Sequence, residues 1–167
     1  MSDAGESTAV LDTNVVLDCF AFDGPLAKPL ADAVRAGAMR VITTEECLAE
    51  LARVLAYPKL KLDEAGRARG LARFREVANV VPQRRVADVP RCRDRDDQKF
   101  LDLAAAERVQ FLFSRDARVL ATRAKMLRIF AVNVTEPKRW AEQFAGAAWT
   151  PSASAADPPS EVRHAHQ

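Results

Sequence analysis

Short apolar runs alternate along this chain with segments of helical periodicity, and no other feature limits its fold so strongly. Runs of strand length lie at residues 9–11, 40–43, 77–81, 110–113 and 128–134. Helices are expected between and after them, at 25–36, 45–57, 63–76, 97–107 and 117–125, with a last one from 136 to 144. The second is the clearest, with Leu48, Leu51, Ala52 and Leu55 at i, i+3, i+4 and i+7 and Pro58 as its stop. Asp63 and Thr135 stand as N-caps, and Pro137 falls in a first turn where its missing N–H does no harm. Strands separated by helices must run parallel, because parallel neighbours need a crossover of helical length. The expected fold is therefore α/β, a three-layer sandwich around a five-stranded parallel sheet.

A chain of 167 residues suffices for one core and is short for two. We place that domain at 9–144, after a short acidic extension, 1–8. The segment 145–167 is rich in Ala, Ser and Pro without periodicity, so burial cannot offset its ordering entropy; it is expected to be a disordered tail. His164 and His166 lie there without further ligands nearby. Cys19, Cys47 and Cys92 are odd in number and share no C-x-x-C spacing, which argues against a disulfide framework or a zinc site. No apolar run approaches the ~20 residues of a membrane helix, and a cytoplasmic location is expected. Both terminal segments are net acidic, so the body is more basic than the overall charge of +2. Its arginines gather at Arg67, Arg69, Arg73 and Arg75 and again at Arg84, Arg85, Arg91, Arg93 and Arg95, suited either to a phosphate backbone or to a plain solvated face.

Open parallel sheets carry their working groups just beyond the carboxyl ends of the strands. The first strand runs into Asp12-Thr13-Asn14, and the strand at 110–113 runs into Ser114-Arg115-Asp116. A third acidic group, Asp94, Asp96 and Asp97, opens the helix that precedes that strand. Each has a bland reading. Asp12 suits an Asx-turn, Asp116 suits a helix cap, and either Asp94 or Asp96 suits a cap. Asp97 differs, because with Phe100, Leu101 and Ala104 it lies on the inward stripe of its helix, where an unpartnered carboxylate is costly. By periodicity alone Glu50 points away from the Leu48 and Leu51 stripe, as a surface residue would. Clustered carboxylates repel unless a hard cation neutralises them; oxygen donors favour Mg²⁺ or Mn²⁺. With both histidines in the tail, the imidazole pair of a metal-free ribonuclease is missing, which leaves carboxylates plus metal for hydrolysis.

Four stretches, V-L-D-T-N-V, E-x-x-x-E-L-x-x-V-L, R-D-x-D-D-x-K-F-L-x-L-A and S-R-D-x-x-V-L, in this order and spacing, resemble the PIN-domain family. The bacterial branch of toxin components in toxin-antitoxin pairs (VapC-like) is the most similar, over residues 9–144. The resemblance implies a Rossmann-like sheet and a metal-dependent endoribonuclease acting on RNA with one or two Mg²⁺ or Mn²⁺ ions. It implies Asp12, Asp97 and Asp116 as metal ligands and Glu50 as the fourth catalytic acid, against the spacing argument. Thr13, Asn14, Asp94 and Ser114 become supporting groups, while Thr44 departs from a more usual serine. An antitoxin protein and a homodimer are the implied partners.

The competing class is a PIN-like module that binds RNA or protein without cutting, which the complete acid set disfavours. A phosphoacceptor domain, suggested by Thr135 and Lys138, fails because no aspartate ends the strand near Val41; an Asp-x-Asp phosphatase fails because Asn14 holds the second position. No glycine-rich phosphate loop is present.

Overall fold

Apolar side chains alternate along β1 (Ser7–Leu11), and their alternation sets up the two sides of the molecule. In the computed structural model, which describes residues 7–145, Ala9 and Leu11 join one core cluster and Val10 the other. Residues 1–6 and 146–167 lie outside the described residues, and with them most of the expected extension, the expected tail and the His164/His166 pair.

Five strands form one sheet: β1, β2 (Met39–Thr43), β3 (Ala78–Val80), β4 (Phe111–Phe113) and β5 (Asn133–Thr135). Their order is β3-β2-β1-β4-β5, and every neighbouring pair is parallel. The chain thus builds outward from β1 to β3, returns to the other side of β1, and builds outward again. That reversal opens a crevice between the carboxyl ends of β1 and β4, where such sheets bind ligands. Register puts Leu11 opposite Phe113, so Asp12 and Ser114 leave the sheet side by side.

One face is covered by α1 (Thr13–Val16), α2 (Lys28–Arg35), α3 (Glu45–Leu55), α4 (Glu64–Val77) and α8 (Pro137–Ala145). The other is covered by α5 (Gln98–Glu107), α6 (Ala117–Leu120) and α7 (Arg123–Phe130). Phe111 and Phe113 stack at 5.4 Å between ring centroids, and Trp140 of α8 meets Phe113 edge-on at 5.6 Å.

Three expectations are corrected. A helix precedes the one expected at 25–36: α1 runs on into a π-helical turn, Leu17–Ala21. Val15, Val16, Leu17, Cys19 and Phe20 are all buried there, and a helix covered nearly all round carries no amphipathic stripe. The strand expected at 128–134 begins in the end of α7, which runs to Phe130 and buries Met126 and Phe130 at i and i+4; Ala131 turns the chain with φ 60°, and only Asn133–Thr135 pair as strand. Thr135 therefore ends β5, and α8 starts two residues later. The helix expected at 117–125 is two, parted at Ala121 and Thr122.

Phe113 is wholly buried among rings, whereas Phe22 is 45% exposed. Phe113→Ala is expected to lower the unfolding free energy by about 3–5 kcal/mol in urea denaturation. Phe22→Ala should stay within about 0.5 kcal/mol of the parent.

Candidate active site

Asp12 follows directly on β1 and is 3% exposed. Its backbone N–H donates to Phe113 O at 3.0 Å, which prolongs the β1–β4 pairing by one residue. Its Oδ1 accepts from Val15 N at 3.0 Å and so caps α1, while Oδ2 accepts from the Ser114 hydroxyl. Ser114 is itself fully buried, and its oxygen accepts from Asp116 N at 3.0 Å. One hydroxyl thus ties the two loops together. The bland reading of Asp12 as a local turn acceptor is satisfied, but only one of its oxygens is used in that way.

Asp97 is the N-cap residue of α5, yet its side chain makes no capping bond. Phe100, Leu101 and Ala104 are buried as the inward stripe requires, and Asp97 sits half-buried at the head of it. Asp94 caps the preceding 3-10 turn Arg95–Asp97 through Asp96 N at 3.0 Å. Asp116 caps α6 through Arg118 N at 2.8 Å. An oxygen from each of Asp94, Asp97 and Asp116 lies within 4.8 Å of the other two. Asp96 is exposed, and its carbonyl accepts from Lys99 Nζ.

Glu50 corrects the periodicity argument. It is half-buried, and it points to the side of α3 that carries Cys47 rather than the Leu48 and Leu51 stripe. The reason is that the turn leading into α5 covers this second face, which a two-sided pattern of one helix does not reveal. Ala52, read as part of the inward stripe, is exposed. Glu50 Oε2 accepts from the Thr13 hydroxyl, and Oε1 is paired with Lys99 Nζ, whose side chain is 12% exposed. Asn14 is exposed on the wall of the same cleft.

Asp12, Glu50, Asp97 and Asp116 all line one cleft of about 180 Å³. Burial raises the pKa of Asp12 to about 6, against the bonds from Ser114 and Val15, which favour the ionised form. Burial also raises Asp97, to about 7, and the charges of Asp94, Asp12, Asp116 and Glu50 push in the same direction. Asp116 moves the other way, because the Arg118 side chain hydrogen-bonds its carboxylate. Two of the acids therefore resist ionisation in this protein environment. All the converging side-chain donors are carboxylate oxygens, which fits a hard divalent cation and not a soft one.

Sequence reasoning missed two residues here, Lys99 and Arg118. Lys99 stands within the acidic motif and pairs with Glu50; Arg118 pairs with Asp116 at 3.1 Å and Asp94 at 3.3 Å. Spacing from the acids was the available signal, since each cation lies two residues after one of them.

In chelator, stability should fall as pH rises. Asp12 and Asp97 keep their protons in the folded state above the ordinary carboxylate value of 3.8, so the folded state binds more protons than the unfolded one from about pH 4 to pH 7. Stability is lost across that window and levels off above it. Asp97→Asn is expected to flatten this decline and to raise the melting temperature at pH 8 in chelator; an unchanged pH profile by circular dichroism would contradict the assignment.

The PIN domain description matches residues 8–118. No curated protein matches the chain. Among solved structures, VapBC2 from Rickettsia felis, bound to a DNA fragment from their promoter, aligns with a TM-score of 0.51 at 15% identity. That alignment covers 76% of this chain and 96% of the other, and at such identity the likeness is one of fold. Because the PIN match runs from β1 into α6 and takes in all four acids of the cleft, the chain belongs to the PIN-domain family.

Proposed function

We propose that this protein is a metal-dependent endoribonuclease that hydrolyses RNA phosphodiester bonds, serving as the toxin of a toxin-antitoxin pair. The observation that carries the reading is the convergence of Asp12, Glu50, Asp97 and Asp116, from four separate stretches of sequence, on one cleft. Family membership and the fold likeness to a VapBC complex support it.

Asp12, Asp97 and Asp116 are the residues to hold Mg²⁺ or Mn²⁺, with Asp94 as an accessory. When bound, such an ion supplies the positive charge these carboxylates lack and the Lewis acidity that phosphodiester hydrolysis needs. Ser114 holds Asp12 in place and Thr13 holds Glu50. Glu50 has both oxygens engaged, by Thr13 and by Lys99, so its role is to orient the attacking water at the cleft edge rather than to serve as a principal ligand.

A larger groove of about 700 Å³ adjoins the cleft and shares Glu50, Val54 and Tyr57 with it. Arg53, Arg85, Arg91 and Arg95 line it among the acids Glu46, Asp88, Asp96 and Asp102, and these arginines would hold the RNA backbone by salt-dependent contacts to phosphate. No helix among the described residues is long and apolar enough to cross a membrane.

Purified protein with Mn²⁺ is expected to cleave a generic single-stranded RNA and to leave DNA of the same sequence intact. Asp12→Asn should keep the fold and lose at least about a hundredfold in rate, a barrier increase of about 2.7 kcal/mol. A folded variant as active as the parent removes the assignment, and RNA that is bound but never cut makes the protein a binding module instead. Expression alone should arrest growth, and co-expression with the adjacent gene should relieve it. Normal growth in the first case removes the toxin role and leaves the nuclease.

A further inference from the structure

Cations of the chain itself already reach some of the acids in the cleft and not others. Lys99 is paired with Glu50. Arg118 lies across two aspartates: its Nε donates to Asp116 Oδ1 at 3.2 Å, its Nη2 to Asp116 Oδ2 at 3.1 Å, and the same Nη2 stands 3.3 Å from Asp94 Oδ2. Among the described residues, no lysine or arginine forms an ion pair with Asp12 or Asp97. Asp94 and Asp116 are two of the three residues whose oxygens converge within 4.8 Å, so the guanidinium stands where a second cation would have to bind them together.

Local geometry makes this placement natural. Arg118 is two residues beyond Asp116, and its backbone N–H is already held by Asp116 Oδ1. The first turn of α6 therefore brings its head group back over the cap. Its side chain is 51% exposed, and an exposed ion pair contributes little, so the head group can leave at small cost.

We propose that Arg118 is a built-in occupant of the Asp94/Asp116 side of the cleft, so that the site takes one divalent ion readily and a second only when Arg118 swings away. This rests on the metal-dependent reading above and sets its ion count. Arg118 is then a positioning residue: it steadies Asp94 and Asp116 while the first ion shares Asp116 with it, and it gives up its hold on both only to a second ion at high metal concentration.

The test is Mn²⁺ binding to the full chain without RNA, with free Mn²⁺ counted by its electron paramagnetic resonance signal. The parent should take up one ion per chain. Arg118→Gln should take up a second at a concentration at least about tenfold below that needed by the parent. Arg118→Lys, which keeps the charge but not the fork, should fall between them. Arg128→Gln is the charge-matched control, because Arg128 is exposed on α7 and lines neither the cleft nor the adjoining groove; it should bind as the parent does. Circular dichroism confirms folding, and α6 keeps its backbone cap in every variant.

Two equally tight ions in the parent, or no gain in Arg118→Gln, would overturn the proposal. A gain in Arg128→Gln equal to that in Arg118→Gln would also overturn it, by assigning the effect to net charge. If the parent binds one ion and cuts RNA while Arg118→Gln gains nothing, only this inference falls. If the parent binds no Mn²⁺, it falls together with the metal-dependent reading.

Discussion

The pairing of β1 with β4 is the constraint on which the rest of the molecule depends. It joins residues about a hundred positions apart in the chain and makes the sheet reverse its order at one place only. The ladder does not stop where the strands do: Asp12 N reaches Phe113 O, and Ser114 N reaches Thr135 O on the far side. These two bonds fix the backbone of both acidic loops to the rigid sheet, so the carboxylates they carry are aimed by the scaffold and not by flexible loop geometry. Phe111, Phe113 and Trp140 fill the layer beneath, which makes the base of the cleft part of the close-packed interior.

Such rigidity holds like charges near one another, and the molecule answers that repulsion in three ways. Asp12 receives neutral hydrogen bonds, which stabilise its charge without adding a cation. Glu50 and Asp116 receive a cation each, from Lys99 and Arg118. Asp97 has no cation of its own, only a hydrogen bond shared with Asp116, and burial and four neighbouring acids raise its proton affinity further than that of Asp12. The asymmetry is informative, since a purely structural cluster has no reason to leave one inward carboxylate at the head of an apolar helix face with another acid as its hydrogen-bond partner and no cation beside it.

Much of this was legible in the residues themselves. Alternating periods gave the parallel sheet, because strand and helix patterns differ in a way that burial enforces on both faces. The inward position of Asp97 could be read from its register with Phe100, Leu101 and Ala104. Glu50 could not, since its environment is made by Lys99, 49 residues away in sequence, and a helical period records only the larger of two buried faces. The buried π-helical turn after α1 was hidden for a related reason: surrounded by core, it shows no polar side. β5 was misplaced because three residues of strand follow a helix whose last turns are equally apolar. Arg118 offered only its spacing from Asp116 as a signal, because arginine near a helix start is ordinary until coordinates show where its head group folds back.

Both margins of the sheet are three-residue strands, β3 and β5. A margin that short offers little free main chain for another polypeptide to extend, and aggregation by strand addition is correspondingly discouraged. The carboxyl end of the sheet, in contrast, is open at its centre. Any protein that regulates this one by direct contact has more to grip on the loops around the acidic cleft than along the sheet's flanks, and control by association then becomes control by access to the same few side chains.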